Sequence, residues 1–173
     1  MEAAYRTPTA SNNQELSFTV ITDPEKLKLI SAYTIDWMSK MVRSLGLIRP
    51  VLKIAAPEVL PIMSKFRSNT EQYRKGNDLI LRGCSAVIFF QAPRKERFGR
   101  EDANLAYQNA SLMAESLGVS QFYTGFVCSV SNKKPLMKSL GIADEIYAGM
   151  ALGMPSFTFD KCIDRKPARV SWI

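Results

Sequence analysis

The stretch AVIFFQA (86–92) is a continuous apolar run closed by Pro93. With apolar side chains at both alternating sets of positions, such a run has no polar face to turn to water. It therefore reads as a central strand covered on both sides. Beyond a charged loop, EDANLAYQNASLMAESLG (101–118) reads as a helix stopped by Gly118. Its Ala103, Ala106, Ala110, Met113, Ala114 and Leu117 make a face of mostly small side chains. Small residues let another backbone come close, so the pattern predicts a central helix and not a peripheral one. Upstream, SFTVIT (17–22) alternates and reads as a strand. Asp23-Pro24-Glu25 signals a helix start: a capping side chain, a proline suited to the first position, and an acid at the positive end. Leu27, Ile30, Tyr33/Thr34, Trp37, Met41 and Leu45 then recur at three- and four-residue steps, with Gly46 as the expected terminator.

Residues 47–76 are apolar and basic, and Pro50, Pro57 and Pro61 interrupt them, so short helices or an excursion are expected. Residues 119–127 suit an extended segment or a turn around Gly125. KPLMKSLG (134–141) reads as a short helix and EIYAGMALGMP (145–155) as a strand. The tail FTFDKCIDRKPARVSWI is extended and basic, and ends in a strand-like VSWI. Strands and helices mix without regular βαβ repetition, so the fold class is α+β. A chain of 173 residues is the length of one domain.

Composition excludes several chemistries. The chain has no histidine, so it holds no Ser-His-Asp triad, no Cys-His pair and no histidine zinc site. Cys84, Cys128 and Cys162 are widely spaced with no CxxC, and read as reduced, semi-buried small hydrophobes. That points to a reducing compartment, the cytoplasm. No apolar run approaches the ~18 residues that span a bilayer, and MEAAYRTPT lacks an apolar signal core. Lys and Arg number 23 against 16 acids, a net charge of +7. The tightest basic cluster, Arg94, Lys95, Arg97 and Arg100, is interspersed with Glu96, Glu101 and Asp102. It reads as a solvated loop first and an anion site second. A nucleic-acid partner would rest on charge alone, and neither nucleic acid nor membrane is expected as a partner.

Three places can carry chemistry. TPTASNNQ (7–14) is rich in short hydroxyl and amide side chains just before a strand. It suits a polar heterocycle or phosphate-bearing ligand, or is an ordinary capping loop. Lys161, Arg165, Lys166 and Arg169 can clamp a phosphate, or form a plain basic C-terminus. Gly125, after Phe122-Tyr123-Thr124, can admit a ligand ring close to backbone, or is a simple turn glycine.

Taken in order, these motifs resemble the nitroreductase family. PTASNNQ followed by SFTVITD and EKLKLI is similar to its flavin loop, Pro-(Ser/Thr)-x-x-Asn-x-Gln ahead of a strand and a helix. DANLAYQNASLMAESLGVSQFYTGF resembles the central helix, with its Asp-x-x-x-Ala-x-Gln-Asn opening. ALGMPSFTFDKCIDRKPARVSWI resembles the closing pattern, Leu-Gly-x-Pro to Arg-Lys-Pro and Val-x-Trp. The resemblance covers about residues 1–30 and 77–173. It implies one α+β domain over residues 1–173, with an antiparallel or mixed central sheet flanked by helices. It implies a homodimer with FMN at the interface. It also implies an oxidoreductase passing electrons from NAD(P)H through the flavin to a nitroaromatic, quinone or similar acceptor. The absent histidine is compatible with this, because a flavin carries the redox chemistry itself.

Carried over by position, Pro8, Thr9, Ser11, Asn12 and Gln14 match the flavin loop. Asn12 and Gln14 are expected at the ring edge or ribityl chain. Thr124 and Gly125 match the positions beside the ring, where a backbone N–H meets N5; family members often carry Glu at the position of Thr124. Lys161 and Arg165 match the phosphate-holding cations. Met1-Glu2-Ala3-Ala4 falls where the family's first helix is already ending, so that helix and its Arg-x-Ser-x-Arg segment are expected to be missing. Arg6 and Arg82 are then candidates to help with the phosphate. The alternative this raises is a flavin-binding or interaction protein with little turnover.

Overall fold

The computed structural model describes residues 1–157 and 164–173. At its centre β2 (Ala86–Ala92) is hydrogen-bonded on both edges, antiparallel to β1 (Ser17–Ile21) and to β4 (Glu145–Gly153). β3 (Ser120–Tyr123) pairs antiparallel with the far edge of β4, giving the order β1-β2-β4-β3. Side chains of β2 alternate between two separate cores, as the period of a strand requires. Val87 and Phe89 enter a core shared with Ile30, Met38, Phe66, Val127 and Leu136. Ile88 and Phe90 enter a second one with Ala4, Ala103, Ala106 and Met150. The reading of 86–92 as a doubly covered strand therefore holds. Its one polar residue, Gln91, donates to Thr19 Oγ1 at 2.6 Å across the β1 ladder.

The first core is roofed by helices from two parts of the chain. α2 (Pro24–Leu47) starts as the sequence predicts: Asp23 accepts from the Glu25 N–H at 2.9 Å and Pro24 takes the first turn. It runs one residue past Gly46, which does not stop it. The proline-interrupted stretch forms α3 (Arg49–Ala55) and the longer α4 (Val59–Arg74). Pro50 and Pro61 lie in their opening turns, where a missing N–H leaves no hydrogen bond unmade. α2 and α4 pack through Trp37 and Phe66, with ring centroids 5.3 Å apart. α6 (Gly125–Ser131) and α7 (Lys134–Leu140) complete this layer, α7 ending at Gly141 with φ +70°.

The second core is covered by α5 (Gly99–Ser116) and the short α1 (Glu2–Tyr5). Ala103 and Ala106 are fully buried, and Gly99 sits so close to β2 that a Cβ there would lie 2.8 Å from that of Ala92. α5 ends in two bonds around Gly118, φ +69°: Gly118 N–H to Glu115 O and Val119 N–H to Ala114 O. The expected face is corrected at its far end. Met113 and Leu117 are exposed, as are Leu105 and Leu112, so α5 keeps uncovered apolar side chains towards its end. Of the two readings of 119–127, the extended one appears as β3, and Gly125 opens α6. One further expectation fails. VSWI forms no strand, since no described strand pairs with it; Val170, Trp172 and Ile173 are exposed.

Phe89→Ala is expected to remove about 3–5 kcal/mol of stability, because it opens a cavity in the first core. Asp23→Ala is expected to cost about 1 kcal/mol through the lost cap. Urea denaturation of both variants checks the ranking.

Candidate functional site

The loop 7–14 is held in a shape that its residues would not choose alone. Ser11, Asn12 and Gln14 all have φ +54°, and left-handed backbone costs a non-glycine residue about 1–2 kcal/mol. A web of bonds offsets this. Thr9 O accepts from the Asn12 N–H at 3.0 Å, and Thr9 Oγ1 from the Gln14 N–H at 3.0 Å. Gln14 Nε2 donates to Asn12 Oδ1 at 3.0 Å. Strained backbone maintained by its surroundings gathers at functional sites. The bonds leave the Ser11 hydroxyl and the Asn12 amide NH₂ without a partner among the described residues, and both residues are exposed. Pro8, Thr9, Asn12 and Gln14 line a cavity of about 320 Å³ together with Arg6.

α5 is the part that fixes this loop. Both carboxylate oxygens of the buried Asp102 accept from the Ala10 N–H, at 3.1 and 3.2 Å. Two turns on, Asn109 Nδ2 donates to Thr7 Oγ1 at 2.9 Å. Seven residues bring a helix back to nearly the same face, so both anchors address one loop. Neither was assigned a role from sequence. The signal was the Asp-x-x-x-Ala-x-Gln-Asn pattern that opens the helix, in which Asp102 and Asn109 are the polar ends.

Thr124 and Gly125 lie at the corner between β3 and α6. The buried Thr124 donates its N–H to Gly149 O at 2.9 Å, so that N–H is engaged inside the chain. The N–H of Gly125 has no partner among the described residues, and a Cβ there would meet only Tyr123, at 3.8 Å. The Gly125 N–H stands beside a cleft of about 390 Å³ that Phe122, Thr124, Gly125 and Arg82 help to line. Gly149 is the residue that permits this corner. A Cβ at 149 would stand 2.3 Å from Thr124 Oγ1 and 3.3 Å from Cys128 Sγ. Nothing in the sequence marks this among the glycines of β4.

Tyr123 and Tyr107 stack edge-on with centroids 4.9 Å apart, which ties the corner to α5. Burial, with Cys128 beside it, pushes the Tyr123 phenol up to about 12. Burial likewise pushes the Cys128 thiol up to about 11, and raises Cys84. Both thiols are free, protonated at neutral pH and ill suited to act as nucleophiles.

The two halves are distinct within one chain: the loop cavity and the corner cleft share no lining residue. Of the expected phosphate cations, Arg6 lines the loop cavity and Arg82 the corner cleft. Lys161 lies outside the described residues. Arg165 is exposed in a segment without helix or strand. Arg6 pairs with Glu2, and Arg82 stacks on the Phe122 ring at 5.1 Å.

This architecture is shared with solved flavoproteins. A nitroreductase with bound FMN from Bacteroides fragilis is 15% identical, with a TM-score of 0.71 over 98% of this chain and 83% of its own. One with bound FMN from Desulfitobacterium hafniense is 17% identical, with a TM-score of 0.68 over 98% and 83%. An FMN-dependent nitroreductase from Mycobacterium smegmatis in complex with NADPH is 16% identical, with a TM-score of 0.56 over 90% and 75%. No curated relative matches the chain. The family model for nitroreductases matches residues 1–154, and the chain belongs to the nitroreductase family.

Gly149→Ala is expected to destabilise the protein by about 1–3 kcal/mol through overpacking. In a Thr124→Ala background, where the nearest atom is gone, the loss is expected to shrink; a double-mutant cycle in urea reads the difference. Cys128 offers a pH test. Its proton is retained in the folded state up to about 11 and released in the unfolded state near 9.0. Stability is therefore expected to fall as pH rises through that window, and Cys128→Ala to flatten the slope.

Proposed function

We propose that this chain is a single-domain, FMN-dependent oxidoreductase that takes electrons from NAD(P)H and passes them to a nitroaromatic, quinone or similar acceptor. The observation that carries the reading is the strained loop 7–14, anchored by Asp102, which leaves the Ser11 hydroxyl and the Asn12 NH₂ without a partner among the described residues. This donor set fits a polar heterocycle, and the Gly125 N–H at a separate corner fits its ring edge. FMN, when bound, supplies the two-electron redox chemistry. The chain binds and orients. Pro8, Thr9, Ser11, Asn12 and Gln14 form the loop side, Thr124 and Gly125 the ring side, and Lys161 and Arg165 the phosphate side.

The two halves occupy separate cavities of one chain, which supports a homodimer in which the loop of one subunit completes the corner of another. The exposed apolar side chains of α5, Leu105, Leu112, Met113 and Leu117, are what we assign to that contact. The unpaired Cys84 and Cys128 favour the cytoplasm.

One observation favours the second reading, a flavin-binding protein with little turnover. Among the described residues Arg6 is the one cation lining the loop cavity, and it already pairs with Glu2.

Titration with FMN, followed by visible absorption and gel filtration, tests the binding. The bound-flavin bands are expected to travel with the protein, and protein that stays colourless in excess FMN overturns the reading. Asn12→Ala is expected to weaken FMN about ten-fold, the worth of one or two hydrogen bonds. Steady-state NAD(P)H oxidation with a quinone then separates the two readings. Turnover no faster than free FMN favours the binding protein.

A further inference from the structure

Outside both halves of the flavin reading, a cleft of about 440 Å³ lies between α2 and α4. Ser39 and Arg43 line it from α2, and Arg67, Glu71 and Arg74 from α4. Each set falls at four- or three-residue steps, so each lies on one face of its helix. Three arginines stand against one glutamate.

Among the described residues those arginines are not held in ion pairs. Elsewhere on α2 the short-range pairs do close: Lys28 reaches Glu25 at 2.9 Å and Lys40 reaches Asp36 at 2.7 Å. Glu71 is four residues from Arg67 and three from Arg74, the same spacings. Yet among the described residues no ion pair joins Glu71 to either, and Arg43 has none. The Ser39 hydroxyl is also without a partner among the described residues. The neighbouring Thr70 already donates to Phe66 O at 2.9 Å. The cleft is rich in donors and poor in acceptors, which suits a multiply charged oxyanion and disfavours a cation or a neutral polyol. Planar guanidiniums match phosphate oxygens in pairs. They stand on two helices locked together by the Trp37–Phe66 contact, so the helices that carry them are already in place.

We infer that the α2–α4 cleft binds a phosphate-bearing polyanion, with Arg43, Arg67 and Arg74 as its ligands. A free phosphorylated small molecule and a phospholipid headgroup present the same chemistry. Beyond Arg43 the chain exposes Leu47, Val51 and Ile54, so a lipid source has a surface to meet as well.

The test uses the full chain after incubation with FMN and removal of unbound flavin, so that any flavin site is filled and no free phosphate ester competes for the cleft. Calorimetric titration with inorganic pyrophosphate is expected to show saturable binding that weakens with salt. Arg67→Gln and Arg74→Gln are each expected to weaken it about ten-fold. Glu71→Gln is expected to tighten it, by removing a like charge. Co-sedimentation with phosphatidylglycerol vesicles, against phosphatidylcholine vesicles, is the second arm. Vesicle binding lost in the arginine variants without pyrophosphate binding identifies a headgroup as the source. The inference is overturned if neither probe binds, if the Arg67→Gln/Arg74→Gln double variant binds as the parent does, or if Glu71→Gln weakens binding. FMN titration of the same variants is expected to be unchanged, so a failure of the flavin reading shows separately.

Discussion

A strand with no face to turn to water must be covered twice, and β2 meets that demand with two different kinds of cover. One side takes bulk: Phe66, Met38 and Ile30 from the long helices. The other takes closeness: Ala103 and Ala106 bring α5 down onto β2 and β4. The second cover is what makes a site. Because α5 lies so near the sheet, its polar residues reach the loop before β1 through Asp102 and Asn109, and its Tyr107 meets the corner after β3. Burial of one apolar strand thus sets the positions of the groups best suited to hold a ligand.

Much of this fold was legible. Continuous apolarity in 86–92, the Asp23-Pro24-Glu25 start and the Gly118 and Gly141 stops each carry a local physical signal, and each appears where expected. The errors share a cause. Gly46 lies inside α2, because a glycine weakens a helix by only about 1 kcal/mol and packing along α2 exceeds that. Met113 and Leu117 belong by spacing to the face of a central helix, yet they are exposed, because spacing sets the side of a helix and not how far along it the sheet reaches. VSWI alternates like a strand, but a strand needs an edge to pair with, and an edge is a property of the assembly.

The site was legible in part for a similar reason. Short polar side chains in 7–14 announce a loop that binds something, yet the left-handed backbone at Ser11, Asn12 and Gln14 is set from far along the chain by Asp102. Gly149 is silent in sequence, since its role is to leave space for Thr124 Oγ1, and empty space has no motif. The cations are the reverse case. Lys and Arg near the C-terminus stand out in the sequence, whereas Arg43, Arg67 and Arg74 look like ordinary helix surface until α2 and α4 are brought together.

The anchoring of loop and corner to a single helix has a mechanical consequence. Asp102 and Tyr107 are about five residues, or roughly 7.5 Å, apart along α5. α5 is fixed over the sheet at more than one point: Tyr107 donates to Gln121 Oε1 at 2.7 Å, Gln121 donates to Ser111 Oγ at 2.8 Å, and the absent side chain of Gly99 lets the start of the helix come close to Ala92. A displacement of α5 would carry both anchors together. The distance between loop and corner is then a property of one rigid rod, and its place over the sheet a property of β3 as much as of β2.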